Sequence, residues 1–481
     1  MRKRLLWLSF IEGAAVMAAE VCGAKLLAPV FGGSLFVWAS VMGITLSALS
    51  AGYFFGGWLS DRSVRKELAL FRVLSAAALF LLFMPVCSHY LVPRLSYLPF
   101  LAGVVSSTLL LLFFPVFLLG ASSPLFVWLQ TRNGEGAGRV SGTVYAISTA
   151  GGILATFLTG FWLIPGIGLQ ATLLLFGSVL FLSNILVLKV WRPGQGVLLL
   201  LFAYLNFQGL SRPEKLLMAS DSMLGHLEVR DIAVGSPSAR RLLSINDIIQ
   251  TEMDLAGRHS LSPYVRLIDT LVPVAEGHEN ALVLGLGGGL AANLLAGKNY
   301  RTDGVELDER IIEAARTYFY LSDQVSTFYE DARYFLNHCD RKYSLVLVDI
   351  FKGEEQPSHV LTRESLKLLK QRLADSALLL INWHGYTRGE KGLGTAILHN
   401  TLRDGGFEVR LCSYSGDEDH RNILFVAGLS PELPHLPFEL DEPLPVTSLV
   451  NTDDLPLLEK YNARANKAWR LNYLRYYQAE P

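Results

Sequence analysis

The chain has 481 residues, a formal net charge of −1 and 51% hydrophobic residues. That length admits two or three domains. The near-neutral charge, with no dense Lys/Arg patch interleaved with aromatics, argues against a nucleic-acid partner. The average hides a division: residues 1–210 are strongly apolar, and 211–481 carry most of the charge. Four cysteines (Cys22, Cys87, Cys339, Cys412) lie far apart with no CxxC pair, so neither a disulfide framework nor a metal site is expected.

Six segments are apolar over the roughly 20 residues that a bilayer-spanning helix needs, at about 5–30, 34–59, 68–92, 97–130, 141–164 and 168–188. The basic start, "MRKRLLWLSF", resembles a signal peptide. Its apolar run is long, holds Glu12 and Glu20 and is followed by further spans, so it reads as a retained first helix. A seventh run, "GVLLLLFAYLNF" (196–207), is short for a span. Arg2, Lys3 and Arg4, then Arg62, Arg65 and Lys66, then Arg132 and Arg139 alternate with loops poor in Lys and Arg. The positive-inside rule puts the N-terminus in the cytoplasm, and six spans return the C-terminal half to the same side. The expected location is therefore the inner cell membrane, with the lipid bilayer as a partner.

Glu12, Glu20 and Lys25 fall within the first span, where each costs about 2.5–3.5 kcal/mol at the bilayer centre without a partner. Glu12 and Lys25 read as near-interface residues, and Glu20 as the candidate to line a cavity. Gly52 and Gly56 have the small-xxx-small spacing that serves helix packing. The loop "GGWLSDRSVRK" (56–66) is similar to the loop between the second and third spans of major facilitator transporters, although six spans make only half of such a protein. A transporter or sensor whose cytoplasmic domain binds an adenosyl ligand is accordingly the alternative function.

From about 224 the pattern changes to "LGHLEVRDIAV" and "RRLLSINDIIQT", read as a small antiparallel β unit, and then the helical "SPYVRLIDTLVPVA". Strands and helices alternate afterwards, with strands at 281–285, 302–306, 326–329, 344–349 and 377–382 and in "FEVRLCSY" and "ILFVAG". The fold class expected is an α-helical polytopic membrane domain followed by an α/β Rossmann-like domain with a small N-terminal antiparallel β unit. The boundaries are 1–210, 211–275, 276–430 and a C-terminal tail, 431–481, which ends in a helix.

In doubly wound sheets ligands sit beyond the carboxyl ends of the strands. There the chain places Gly285, Gly287, Gly288 and Gly289 in "GLGGGLAAN", Glu306 in "GVELD", Asp331 in "YEDARYF" and Asp349 in "LVLVDIF". Glycines let a ligand approach the backbone, and the next helix offers its N-terminal N–H groups. Glu306 suits ribose hydroxyls, Asp331 an adenine amino group, and Asp349 a reacting group. The bland alternative is that each acid caps the next helix or turn. The dehydrogenase pattern G-x-G-x-x-G lacks its third glycine, which falls on Leu290 or Ala292. The acids suit an adenosyl-sulfonium ligand instead.

At these residues the chain resembles the spermidine synthase (polyamine aminopropyltransferase) family, in its membrane-fused bacterial branch. The segments "INDIIQ", "GGGLA", "ELD", "EDA" and "DIFKGEEQP" follow that family's order. The resemblance implies decarboxylated S-adenosylmethionine or S-adenosylmethionine as co-substrate, held by the glycines, Glu306, Asp331 and Gln250, with Tyr264 near the second substrate. It also implies a homodimer through the soluble domain. Three positions depart from the pattern. Leu290 replaces the acid of G-G-G-D-G, Lys352 stands where the family's base lies, and Val265 follows the pocket tyrosine in place of a polar residue. Like charges about 4 Å apart repel by roughly 4 kcal/mol at an effective dielectric of 20, so Lys352 in the pocket disfavours a plain diamine such as putrescine. Asp349 is the favoured base, with Glu354, Glu355 or His359 in the following loop as substitutes. The expected activity is aminopropyl or methyl transfer to an amine or other acceptor.

Overall fold

The structure is a computed structural model that describes residues 2–31, 35–95, 97–131, 136–188, 215–222, 224–236, 238–277, 279–351, 356–431 and 433–478. Lys352, Glu354, Glu355 and the run 196–207 lie outside the described residues. The chain divides into two units, one of Met1–Arg212 with Ser220–Gly225 and one of the remainder.

In the first unit six helices are long and apolar enough to cross a membrane: α1 (Lys3–Phe31), α2 (Leu35–Arg62), α3 (Lys66–Tyr90), α4 (Leu101–Gln130), α5 (Ala137–Ile167) and α6 (Leu169–Leu188). Small residues set how closely they pack. A Cβ on Gly52 or Gly56 of α2 would come within 2.3 and 2.2 Å of the carbonyl oxygens of Phe117 and Ala121 on α4, so only glycine admits that approach. Two π-helical turns, Leu109–Phe113 in α4 and Thr159–Leu163 in α5, each precede a proline, Pro115 and Pro165. An extra residue in the turn relieves the clash of the proline ring with the preceding carbonyls. Glu12 is enclosed between helices. It is 2% exposed and accepts a hydrogen bond from Ser148 Oγ of α5 at 2.9 Å, a partner that offsets part of the cost of its burial. Glu20 is half-buried.

The chain carries two sheets, which apart from residues 220–222 and 225 belong to the second unit. The smaller is antiparallel between β2 (Gly225–Ile232), β3 (Arg240–Ile245) and β4 (Ile248–Asp254), with β1 (Leu216–Ser222) at the edge beside β2. The stretch "RRLLSINDIIQT" is thus two strands, not one. Asn246 and Asp247 have φ of 50° and 64°, the pair of left-handed residues that a tight hairpin turn requires.

The larger sheet has seven strands in the order β10-β11-β9-β8-β5-β6-β7. β5 (Asn280–Leu284), β6 (Arg301–Glu306), β7 (Val325–Tyr329), β8 (Tyr343–Val348) and β9 (Leu373–His384) run parallel; β11 (Asn422–Gly428) adds antiparallel to β9, and β10 (Glu408–Cys412) antiparallel to β11. Both faces of the parallel strands are buried, which explains their unbroken apolar runs. Leu282, Leu284, Val346, Val348, Leu379 and Ile381 pack on one face, and Ala281, Val283, Leu345, Leu347 and Leu380 on the other. Helices α7 (Pro263–Leu271), α8 (Leu290–Gly297), α9 (Glu309–Tyr318), α10 (Ala332–His338), α11 (Arg363–Gln371) and α12 (Leu393–Asp404) alternate with these strands. After residue 433 the tail is irregular until α13 (Leu458–Gln478). The strand order reverses between β5 and β8, and such a reversal opens a crevice at the carboxyl ends.

Candidate active site at the carboxyl ends of the parallel strands

β5 ends in the glycine turn. Gly285 has φ of +90°, and a Cβ there would lie 2.2 Å from the carbonyl oxygen of Asp349, so the turn and the end of β8 are held in contact by the lack of a side chain. Gly287 and Gly289 also have positive φ, at 52° and 75°. Gly288 N donates to Thr251 Oγ1 at 2.8 Å, which ties the turn to β4 of the small sheet. Gln250, the neighbour of Thr251, donates from Nε2 to the carbonyl of Ile248 at 3.3 Å.

Glu306 ends β6, and its two carboxylate oxygens accept from Leu286 N and Asp308 N, each at 3.0 Å. Burial pushes its carboxyl up from the ordinary range, and the backbone donors pull it back. Glu306 is therefore braced against the glycine turn. Asp308 caps α9 instead, accepting from Arg310 N.

Asp331 follows β7 and caps α10, with Oδ1 accepting from Arg333 N at 2.9 Å and Tyr334 N at 3.1 Å. Its Oδ2 faces His359 Nε2 at 3.1 Å. Partial burial raises its pKa, but the bonds from His359 and the helix N–H groups outweigh this and hold it below the usual carboxylate range. His359 thus sits beside Asp331, at the end of the site away from Asp349.

Asp349 follows β8 and accepts from side chains of two other elements. Tyr264 at the start of α7 donates its hydroxyl to Oδ2 at 2.6 Å, and Asn382 of β9 donates to Oδ1 at 2.8 Å. Asn382 is in turn fixed by Asn422 of β11, at 2.9 Å. Burial raises Asp349 from its ordinary range, and these two donors partly oppose the rise. Tyr264 is pushed well up, by burial first and then by the adjacent carboxylate, so it remains a donor.

Leu290, at the start of α8, is 8% exposed. It belongs to an apolar cluster with Leu227, Val229, Leu243, Met253, Ile311 and Phe319, between the small sheet and α9. Val265 is buried on α7. Among the described residues no group of three or more His, Cys, Asp or Glu is placed to hold a metal ion. Three contributors were absent from the sequence reading: Thr251, Asn382 and Asn422. A signal existed for Asn382, the lone polar residue in the buried run "ALLLINW".

No family model matches the chain. Over 127 residues it is 35% identical to a polyamine aminopropyltransferase of Vibrio vulnificus, a match covering 25% of this chain and 42% of that protein. Over 128 residues it is 32% identical to an N-terminal histidine N-methyltransferase of Emericella nidulans, covering 25% of this chain and 23% of that one. The match thus spans less than half the length of either relative. Among solved structures, a probable spermidine synthase from Corynebacterium glutamicum aligns with 18% identity over 45% of this chain and 80% of that chain, at a TM-score of 0.39. Over part of its length, the chain is similar to the spermidine synthase-like transferases.

Proposed function

We propose that the second unit is an adenosyl-sulfonium-dependent group transferase, anchored to a bilayer by the six apolar helices. Its leading reaction is aminopropyl transfer from decarboxylated S-adenosylmethionine to an amine other than plain putrescine. The observation that carries this reading is the convergence of Glu306 and the Tyr264–Asp349–Asn382 group on the ends of three neighbouring strands, β6, β8 and β9, around the glycine turn of β5.

The donor's chemistry fits what these residues retain. A carboxylate has about four acceptor sites. Asp331 uses three of them on Arg333 N, Tyr334 N and His359, which leaves one for an adenine amino group. Glu306 keeps acceptor capacity for ribose hydroxyls beyond its bonds to Leu286 and Asp308. In the transfer, the lone pair of the acceptor nitrogen attacks the methylene next to the sulfonium. The C–N bond forms, the C–S bond breaks with its electron pair going to sulfur, and neutral methylthioadenosine leaves. The proton of the amine passes to Asp349, whose raised pKa makes it a stronger base than an exposed carboxylate. Tyr264 and Asn382 hold that carboxylate in one orientation, so much of the catalysis is alignment.

Methyl transfer from S-adenosylmethionine is the second reading, supported by the N-methyltransferase relative. The Lys/Arg bias of alternate loops supports a cytoplasmic position for the second unit. Product analysis of the full chain with each donor separates the readings. Methylthioadenosine marks aminopropyl transfer and S-adenosylhomocysteine marks methyl transfer. Formation of neither product, with no donor binding, refutes both.

A further inference from the structure

Helix α13 takes no part in the chemistry above, yet it touches both banks of the candidate site. Asn462, Asn466, Trp469 and Tyr473 recur at spacings of four, three and four, which puts them on one face of the helix. Tyr473 accepts at its hydroxyl oxygen from Ile249 N at 2.9 Å, one residue from Gln250. Arg470 Nη2 donates to the carbonyl of Asn246 in the β3–β4 turn at 3.0 Å. On the other bank, the indole of Trp469 stacks on His384 with ring centroids 4.5 Å apart and planes at 28°. His384 meets Phe351 at 5.1 Å, and Tyr473 stacks on Trp469 at 4.9 Å.

These rings have a fixed relation to the reacting group. His384 lies two residues beyond Asn382, and Phe351 two beyond Asp349. Asn382 and His384 lie on the same face of β9, about 6.6 Å apart along the strand, so the His384–Phe351 contact lies further along β9 than the Asn382–Asp349 contact. Phe351, Trp469 and Tyr473 are half-buried.

The other end of the helix face contributes neutral amides. Asn462 Nδ2 donates to Asn466 Oδ1 at 2.8 Å and reaches Gln356 Oε1 at 3.5 Å. Gln356 Nε2 and Asn462 Oδ1 have no partner among the described residues, although the two residues are only 7% and 3% exposed. A buried donor and acceptor left unspent are costly without a ligand or water to complete them. Gln356 also shares a crevice with Asn382, Val348 and Ile381 beside the end of β8.

We propose that α13 is the outer wall of the acceptor site, and that the acceptor it fits is an amine carried on an aromatic ring. This rests on the transferase reading. The amino group meets Asp349, and the ring lies against the Trp469–His384–Phe351 platform. A diamine needs a carboxylate for its far ammonium, whereas the residues described on this wall that face the site are rings and uncharged amides. Trp469 is then a specificity-determining residue.

The test is calorimetric titration of the full chain in detergent, saturated with methylthioadenosine, using 2-phenylethylamine and 1,4-diaminobutane as probes. The expected result is that 2-phenylethylamine binds more tightly. Trp469→Ala weakens it about tenfold, as loss of an aromatic contact and its buried area implies, while Trp469→Phe keeps it within about threefold. Tighter binding of 1,4-diaminobutane by the wild type, no binding of 2-phenylethylamine, or an unchanged affinity in Trp469→Ala each overturns the proposal. The methylthioadenosine titration separates the two claims. Its failure on the wild type removes the transferase reading as well, whereas its success beside a failed amine titration removes only the role of α13. If Trp469→Ala also loses methylthioadenosine, the wild-type preference between the two amines decides alone.

Discussion

Replacing Leu290 by Asp restores the carboxylate that the G-G-G-D-G pattern carries, and the structure forecasts loss of stability in place of a gain of function. Leu290 is 8% exposed within a cluster of Leu, Val, Met, Ile and Phe side chains drawn from the small sheet and α9. Truncation of such a leucine to Ala costs about 2–5 kcal/mol. A carboxylate in the same place adds an effective desolvation penalty of several kcal/mol, because it would lie among these apolar side chains. Its position in the first turn of α8 recovers only about 0.3–1 kcal/mol from the helix dipole. The sum is comparable to the whole stability of a domain, about 5–15 kcal/mol. Thermal unfolding of the chain in detergent should therefore show a lowered midpoint for Leu290→Ala. For Leu290→Asp it should show no cooperative transition from the second unit and no methylthioadenosine release with 1,4-diaminobutane. A Leu290→Asp protein with an unchanged midpoint and new diamine-dependent release would refute the reasoning, since the side chain would then face substrate.

Tyr264→Phe removes a donor that lowers the pKa of Asp349, so that pKa rises further. Because Asp349 works ionised, the acid limb of the activity–pH profile should move to higher pH, and an unmoved limb would exclude Asp349 as the base. Asp331 behaves in the opposite sense. Its folded pKa is depressed, so its stabilisation is complete above the unfolded value near pH 4 and is lost as pH falls through the folded value. His359→Ala removes one cause of the depression and should bring acid unfolding to higher pH. Arg421 is fully buried, with Nη2 2.8 Å from Thr387 Oγ1 and 3.2 Å from Glu442 Oε2. Arg421→Ala removes the buried cation beside Glu442, which keeps Arg388 and Thr387 as partners, and should cost toward the low end of about 3–5 kcal/mol. Arg410→Ala breaks a more exposed pair with Glu439 and should cost no more than about 1 kcal/mol, so equal unfolding midpoints for the two variants would contradict this ranking.

Much of this architecture is legible in residues whose local pattern agrees with their tertiary role. The apolar spans, the parallel strands with both faces buried, and the acids at the strand ends are of that kind. The β3–β4 hairpin was hidden because Asn246 and Asp247 sit between two apolar runs with no glycine to mark the turn. Ser148, the partner of Glu12, is not legible from local pattern because it lies 136 residues away on another helix. Within the candidate site, the motif residues could be named in sequence, but not their functions as neighbours. Asp331 proves to be a helix cap that also faces His359, while Asp349 is held by side chains from α7 and β9. The amide pair Asn382–Asn422, 40 residues apart, and the face of α13, where Tyr473 meets Ile249 across 224 residues, depend on strand pairing and packing that no local pattern encodes.

The central claim is that Glu306 and the glycine turn hold the adenosyl part of a sulfonium donor. Titration of methylthioadenosine into the wild-type chain and into Glu306→Gln tests it most directly. The account predicts one saturable site in the wild type. In the variant the affinity should fall at least tenfold, as expected when hydrogen bonds to a charged acceptor worth about 1.5–3 kcal/mol are lost. Absence of binding in the wild type, or equal affinity in Glu306→Gln, would contradict it.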